Sequence, residues 1–314
     1  MERPAISVVV PAYGCESCLV PLYDALRSAL ESISPDFEIV IVEDHSPEGD
    51  WAVIVSLAEK DPRVRGVKLT RNFGQHNAIA AGLNVAEGDW VVVMDCDLQD
   101  GPEEITKLYA KAQEGFECVF GRRVDRLDST GTVVSSQAFS WVHGKIGGFK
   151  PDAAVGNFSI VSRRVVHALR EFREEHRNYA MQVHWLGFPT AYVPVVHAAR
   201  HSGKSRYSFA SRLRHAAATI LSQSTRPLYA SAAFGLLMAL GAAITGIYLL
   251  VRKLTVGYGV EGWTSVMVTL WFLFGMLFLN MGVLGLYLGS VFNSVKNRPP
   301  FVIEKTTYES ERDG

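Results

Sequence analysis

Asp95 and Asp97, one residue apart, with Gln99 two positions further on, form an all-oxygen ligand set. Hard divalent cations that keep some water and share phosphate oxygens favour such ligands. The acids follow Val91-Val92-Val93-Met94, an apolar run suited to a strand covered on both faces of a parallel sheet. In such sheets ligands gather at the carboxyl ends of the strands. The acids also run into Asp100-Gly101-Pro102-Glu103-Glu104, a good helix start, so an Asp-rich capping turn is the competing reading. D-x-D alone does not choose between them.

Other candidate groups fall at similar junctions. Strand-like Ile6 to Val10 leads into Pro11-Ala12-Tyr13, and Phe37 to Val42 into Glu43-Asp44-His45-Ser46. Cys118-Val119-Phe120 leads into Gly121-Arg122-Arg123. Carboxylates for a metal, an acidic turn for ribose hydroxyls and arginines for phosphate together suit a nucleotide-diphosphate sugar.

The elements that must position these groups alternate regularly. Strands over 6–10, 37–42, 64–69 and 90–94 are separated by helices over 19–32, 51–60 and 77–87. This alternation predicts an α/β fold with a mostly parallel sheet and helices on both faces. No G-x-G-x-x-G follows the first strand and no G-x-x-x-x-G-K-[ST] occurs, so the usual dinucleotide and ATP phosphate cradles are missing.

The 314 residues, 48% of them hydrophobic, allow a large catalytic domain plus something further. A net charge of −1 argues against a nucleic-acid binder. No charged-then-apolar leader precedes the first strand. Four cysteines include Cys15 and Cys18, spaced C-x-x-C, but no second such pair follows, so reduced, mostly buried thiols are expected.

Hydrophobicity concentrates near the end. No charge falls between Arg226 and Arg252, or from Gly262 to Val295, which predicts two transmembrane helices over about 228–251 and 265–291. Gly235, Gly241, Ala242 and Gly246 permit tight helix packing between copies, a route to a homo-oligomer. Basic residues on both flanks predict a multi-pass protein of the inner, cytoplasmic membrane with both termini on the cytoplasmic side. Arg206 to Arg226 alternates Tyr207, Phe209, Leu213 and Ile220 with Arg206, Arg212 and Arg214, as in a basic amphipathic helix at a membrane surface.

In these strings the chain resembles the polyisoprenyl-phosphate glycosyltransferases of glycosyltransferase family 2. That group includes dolichol-phosphate mannose synthase and bacterial undecaprenyl-phosphate glucosyl- and aminoarabinosyl-transferases. The similarity runs through V-V-V-P-A-Y at Val8, V-E-D-H-S-P-E-G at Val42, R-N-F-G-Q-H-N-A at Arg71 and D-C-D-L-Q-D-G-P-E-E at Asp95. It continues in R-H-S-G-K-S-R-Y at Arg200, G-L-Y-L-G at Gly285 and K-N-R-P-P-F at Lys296.

The resemblance implies a GT-A, Rossmann-like catalytic domain over 1–205, the interfacial helix over 206–226, the spans within 227–295 and a cytoplasmic tail over 296–314. It implies inverting, metal-dependent transfer of one sugar from a UDP- or GDP-sugar to a membrane polyprenyl phosphate, with Mg²⁺ or Mn²⁺ as cofactor. Positions matching Pro11, Tyr13, Val42 and Asp44 contact the base and ribose; Asp95, Cys96 and Asp97 sit at the ribose and diphosphate, with Asp97 and Gln99 close to the metal. Arg123 belongs to a loop over the diphosphate, and Arg200 and Arg206 bind phosphate of donor or acceptor.

The chain departs from the family pattern at several points. Gly14-Cys15 replaces the usual N-E, Cys96 stands within D-A-D, and Arg206 replaces a lysine. Asn157 replaces an acid often found in G-D-F, and an amide cannot act as a general base; its alternative role is to cap the helix beginning near Ser162. A lipid phosphate, with a second pKa of about 6, needs no strong base to attack. His76 is expected to cap or pack the following helix. His184-Trp185 lacks the arginine of the Q-x-x-R-W motif of polymer-forming synthases. Two other readings stay open: transfer to a sugar hydroxyl, with Asp152 as the nearby acid, and a non-catalytic membrane adaptor on a transferase fold.

Overall fold

In the computed structural model the described residues are 3–123, 154–172, 177–196, 226–256, 262–296 and 298–308. They fall into two compact units. In the first, strands β1 (Ile6–Ala12), β2 (Phe37–Glu43), β3 (Val64–Leu69) and β4 (Trp90–Val93) alternate with helices α1 (Glu16–Glu31), α2 (Asp50–Lys60) and α3 (Gln75–Val85). There follow α4 (Ile105–Ala112), β5 (Cys118–Arg123), β6 (Val155–Ser162), α5 (Arg163–Arg170), α6 (Tyr179–Leu186) and β7 (Thr190–Val195). β8 (Ile303–Thr306) completes an eight-stranded sheet in the order β7-β5-β6-β4-β1-β2-β3-β8.

Strand periodicity divides the core between the two faces of the sheet. Ile6, Val8, Val10, Ile39 and Ile41 join a cluster with Leu19, Leu22 and Leu26 of α1 and Leu108 of α4. Val9, Val40, Val42, Val91 and Val93 join Ile79 and Leu83 of α3, Val165 of α5 and Val183 of α6. Every residue of β1 and β2 is buried, as the apolar runs predict. Buried Glu38 is satisfied by Ser7 Oγ at 2.5 Å, the Glu87 N–H at 2.6 Å and Arg65 Nη1 at 2.7 Å.

The expectation of a mostly parallel sheet needs correction: the sheet is mixed. β1 pairs in parallel with β2 and β4, β2 with β3, and β5 with β7, whereas β6 runs antiparallel to both β4 and β5. The connection between β5 and β6 is long enough to return the chain in either direction, so local sequence leaves that direction open. Within the 296–314 segment, residues 303–306 form β8 antiparallel to β3 and cover its edge.

The second unit holds helices α7 (Arg226–Val256) and α8 (Trp263–Val295). Among the described residues one stretch, Thr269–Gly289 of α8, is long and apolar enough to cross a membrane, with mean hydropathy 1.8. The expected pair of spans, and the multi-pass membrane placement built on it, is therefore corrected to one candidate span. The segment 228–251 does lie within one helix, α7, and is uncharged up to Arg252 and Lys253. The expected interfacial helix over 206–226 lies outside the described residues, apart from Arg226.

Candidate functional site

The parallel strands β1, β2 and β4 end together, and the groups singled out by spacing cluster at that edge. Because β6 is antiparallel, its amino end lies there too. The register pairs Val93 with Ser159, which carries Asn157 opposite Asp95. Asn157 hydrogen-bonds the Asp95 side chain. It is therefore a strand residue of the acidic cluster, and the capping role falls to Ser162, whose Oγ accepts from the Val165 N–H at 3.4 Å.

Asp95 also accepts from Gln75 Nε2, on the first residue of α3, at 2.6 Å. Burial pushes the Asp95 carboxyl up to about 6; Asp97 and Asp100 add to this, while Arg123 and Asn157 oppose it. Asp97 closes the following turn by accepting from the Gln99 N–H at 3.2 Å. Leu98 within that turn has φ 59°, in the left-handed region. Asp100 is buried and faces Arg123 Nη2 at 3.4 Å. Arg123, at the end of β5, is thus held beside the acids.

Asp44, just past the end of β2, anchors the turn that leads into α3. Its Oδ1 accepts from the Phe73 N–H at 2.7 Å and its Oδ2 from the Gly74 N–H at 2.8 Å. Burial still holds its carboxyl above the usual range. Gly74, at φ 89°, turns the chain into α3, so Asp44 fixes the turn that delivers Gln75. Val42 and Pro11 are buried side by side in register at the ends of β2 and β1. Tyr13 is 43% exposed beside them.

Cys15 and Cys96 form a disulfide, whereas Cys18 and Cys118 are thiols as expected. Sequence distance conceals this pairing. Gln75 and Asp100 were likewise given no chemistry by the sequence, although Gln75 lies inside R-N-F-G-Q-H-N-A. His76 meets α6 and not only the helix that follows it: its Nδ1 accepts from the Tyr179 N–H at 3.4 Å, and burial lowers its pKa. His184 stacks on Phe120 with ring centroids 4.9 Å apart. Arg200 and Arg206 lie outside the described residues.

Among the described residues no group of three His, Cys, Asp or Glu side chains could hold a metal by itself. Two carboxylates and an amide match a cation that takes its other ligands from water and phosphate. Crowding of Asp95, Asp97 and Asp100 also favours a positive charge at this place.

The profile of "Glycosyl transferase family 2" matches residues 7–174. The chain is 35% identical over 306 residues to the SfII prophage-derived bactoprenol glucosyl transferase of Shigella flexneri, covering 96% of this chain and 98% of that one. It is 30% identical over 307 residues to the undecaprenyl-phosphate 4-deoxy-4-formamido-L-arabinose transferase of Proteus mirabilis, covering 96% and 93%. Among solved structures it resembles glucosyl-3-phosphoglycerate synthase from Mycobacterium tuberculosis in complex with Mn²⁺, uridine-diphosphate and phosphoglyceric acid. The TM-score is 0.51 at 19% identity, over 70% of this chain and 78% of that one, a likeness of fold. With most of its catalytic unit matched and relatives aligned almost end to end, the chain belongs to glycosyltransferase family 2 and is a glycosyltransferase.

Proposed function

We infer that the protein transfers a sugar from a nucleotide-sugar to a polyprenyl phosphate, with glucose from UDP-glucose as the specific donor reading. The observation that carries this is the end-to-end match to bactoprenol glucosyl transferases, which takes in the hydrophobic helices as well as the catalytic unit.

Asp97, Gln99 and Asp95 would hold a divalent cation, Mg²⁺ or Mn²⁺, which neutralises charge on the departing diphosphate when bound. Pro11, Tyr13, Val42, Asp44 and Cys96 would line the nucleoside. Arg123 would meet the diphosphate, its guanidinium well matched to phosphate oxygens. Arg200 and Arg206 keep their proposed phosphate role on sequence resemblance alone.

A phosphate oxygen of the lipid attacks the anomeric carbon as the bond to the nucleoside-diphosphate oxygen breaks, inverting that centre. The lipid phosphate is largely dianionic at neutral pH, so Asn157 need not accept a proton. The protein contributes alignment and leaving-group stabilisation.

The test incubates the detergent-solubilised protein with undecaprenyl phosphate, radiolabelled UDP-glucose and Mg²⁺ or Mn²⁺. Label is expected in the organic phase, and Asp97→Ala should reduce its rate by about 10²–10³-fold. Failure of the folded protein to label the lipid with any of a panel of nucleotide-sugars would falsify the reading.

A further inference from the structure

The two cysteines that interrupt the family pattern at the nucleotide edge are the two halves of one bond. Cys15 follows Tyr13 and Gly14 on the loop after β1, and its N–H donates to Asp50 Oδ2 at 3.1 Å. Cys96 stands between Asp95 and Asp97. Their Cα atoms lie 6.4 Å apart across a sequence separation of 81, within the span a disulfide bridges. The turn that carries Cys96 also holds Leu98 at φ 59°, a conformation a leucine keeps only when its surroundings restrain it.

We propose that Cys15–Cys96 is a reversible thiol–disulfide site within the donor pocket, with small disulfides and thiols as co-reactants, and that its state sets donor affinity. This rests on reading Tyr13, Asp95 and Asp97 as donor contacts. For oxidation, the Cys15 thiolate attacks one sulfur of a small disulfide RSSR, whose S–S bond breaks to release RS⁻. The Cys96 thiolate then attacks the Cys15 sulfur of the mixed disulfide and expels the second RS⁻. Two electrons pass from the protein to RSSR, and the two cysteine protons end on two RSH. Excess thiol runs the sequence in reverse.

The bonded state holds the β1 loop and the aspartate turn at one separation before the donor arrives. The dithiol state leaves that ordering to be done on binding, which weakens affinity. Reduction should therefore raise the donor KM and leave kcat nearly unchanged.

The full chain in detergent is equilibrated with glutathione disulfide or with dithiothreitol. Unfolded samples are then alkylated and their thiols counted by intact mass, and UDP-glucose kinetics are measured in each state. Two of the four cysteines should be alkylated after oxidant and all four after reductant. The donor KM should be about tenfold higher in the reduced protein, and Cys15→Ala should show that higher value in both buffers. Four reactive thiols after oxidant, or equal KM in the two states of the wild type, overturns the proposal. If Asp97→Ala transfers as well as wild type, the donor-site reading falls first, and the affinity role of the bond falls with it; the thiol count separates the two failures.

Discussion

Asp95 is the most constrained residue of the site. Three carboxylates crowd together there, and Arg123 with two side-chain amides offsets the repulsion. Gln75 has no role in the transfer chemistry described above, yet its amide holds Asp95 Oδ1 at 2.6 Å. Gln75→Ala should lower kcat/KM about tenfold, the loss of one hydrogen bond to a charged group. Gln75→Glu should be worse than alanine, because it sets a carboxylate against a carboxylate. Steady-state kinetics on the two variants check this order, and equal rates for wild type and Gln75→Ala would remove Gln75 from the site.

At the scale of elements, α3 lies very close to the sheet because Gly82 has no side chain. A Cβ there would stand 2.3 Å from Val9 Cγ1 and 3.1 Å from Val42 Cγ2. Gly82→Ala should cost about 1–3 kcal/mol in a denaturant melt and also impair activity, because the displaced helix carries Gln75. The end of α2 is tied differently. Asp61 accepts from Tyr23 Oη of α1 at 2.8 Å and from Arg63 Nη2 at 2.8 Å. The Arg63 bonds are the main cause that lowers its carboxyl from 3.8 to about 2. A carboxyl lowered on folding stabilises the protein above its unfolded value, and that contribution is lost as pH falls from about 4 through about 2. Asp61→Asn should cost about 2 kcal/mol at pH 7. The gap from wild type should narrow across that acid window in thermal melts; a gap independent of pH would count against the ion pair.

The whole molecule joins a catalytic sheet to an apolar helical unit. In α8, Trp271 is 78% and Phe278 66% exposed, far more than an aqueous surface favours on one helix. A lipid environment accounts for that exposure. Phe278→Arg, at the middle of the candidate span, should oppose insertion by about 3 kcal/mol. In vesicle flotation the wild type should rise with the lipid and the variant should be depleted from that fraction. Flotation of both alike would show that α8 does not carry membrane binding.

Much of the catalytic unit is legible in residue order, because strand and helix periods arise from neighbours a few positions apart. β1 to β4 and their helices follow from alternating burial, and the carboxyl edge follows from their parallel order. Residue order alone therefore places Asp95, Asp97 and Arg123 at one edge. The rest depends on distant pairing. Asn157 meets Asp95 only because β6 runs antiparallel to β4 in one register, and β8 reaches the β3 edge from the far end of the chain. Asp44 turns inward because two backbone N–H groups of the 73–74 turn occupy both of its oxygens. Cys15 and Cys96 meet across 81 residues. Local patterning determined which elements form and which edge is chemical; tertiary packing decided which polar groups share that edge, since hydrogen bonds and disulfides depend on distances that sequence spacing does not encode.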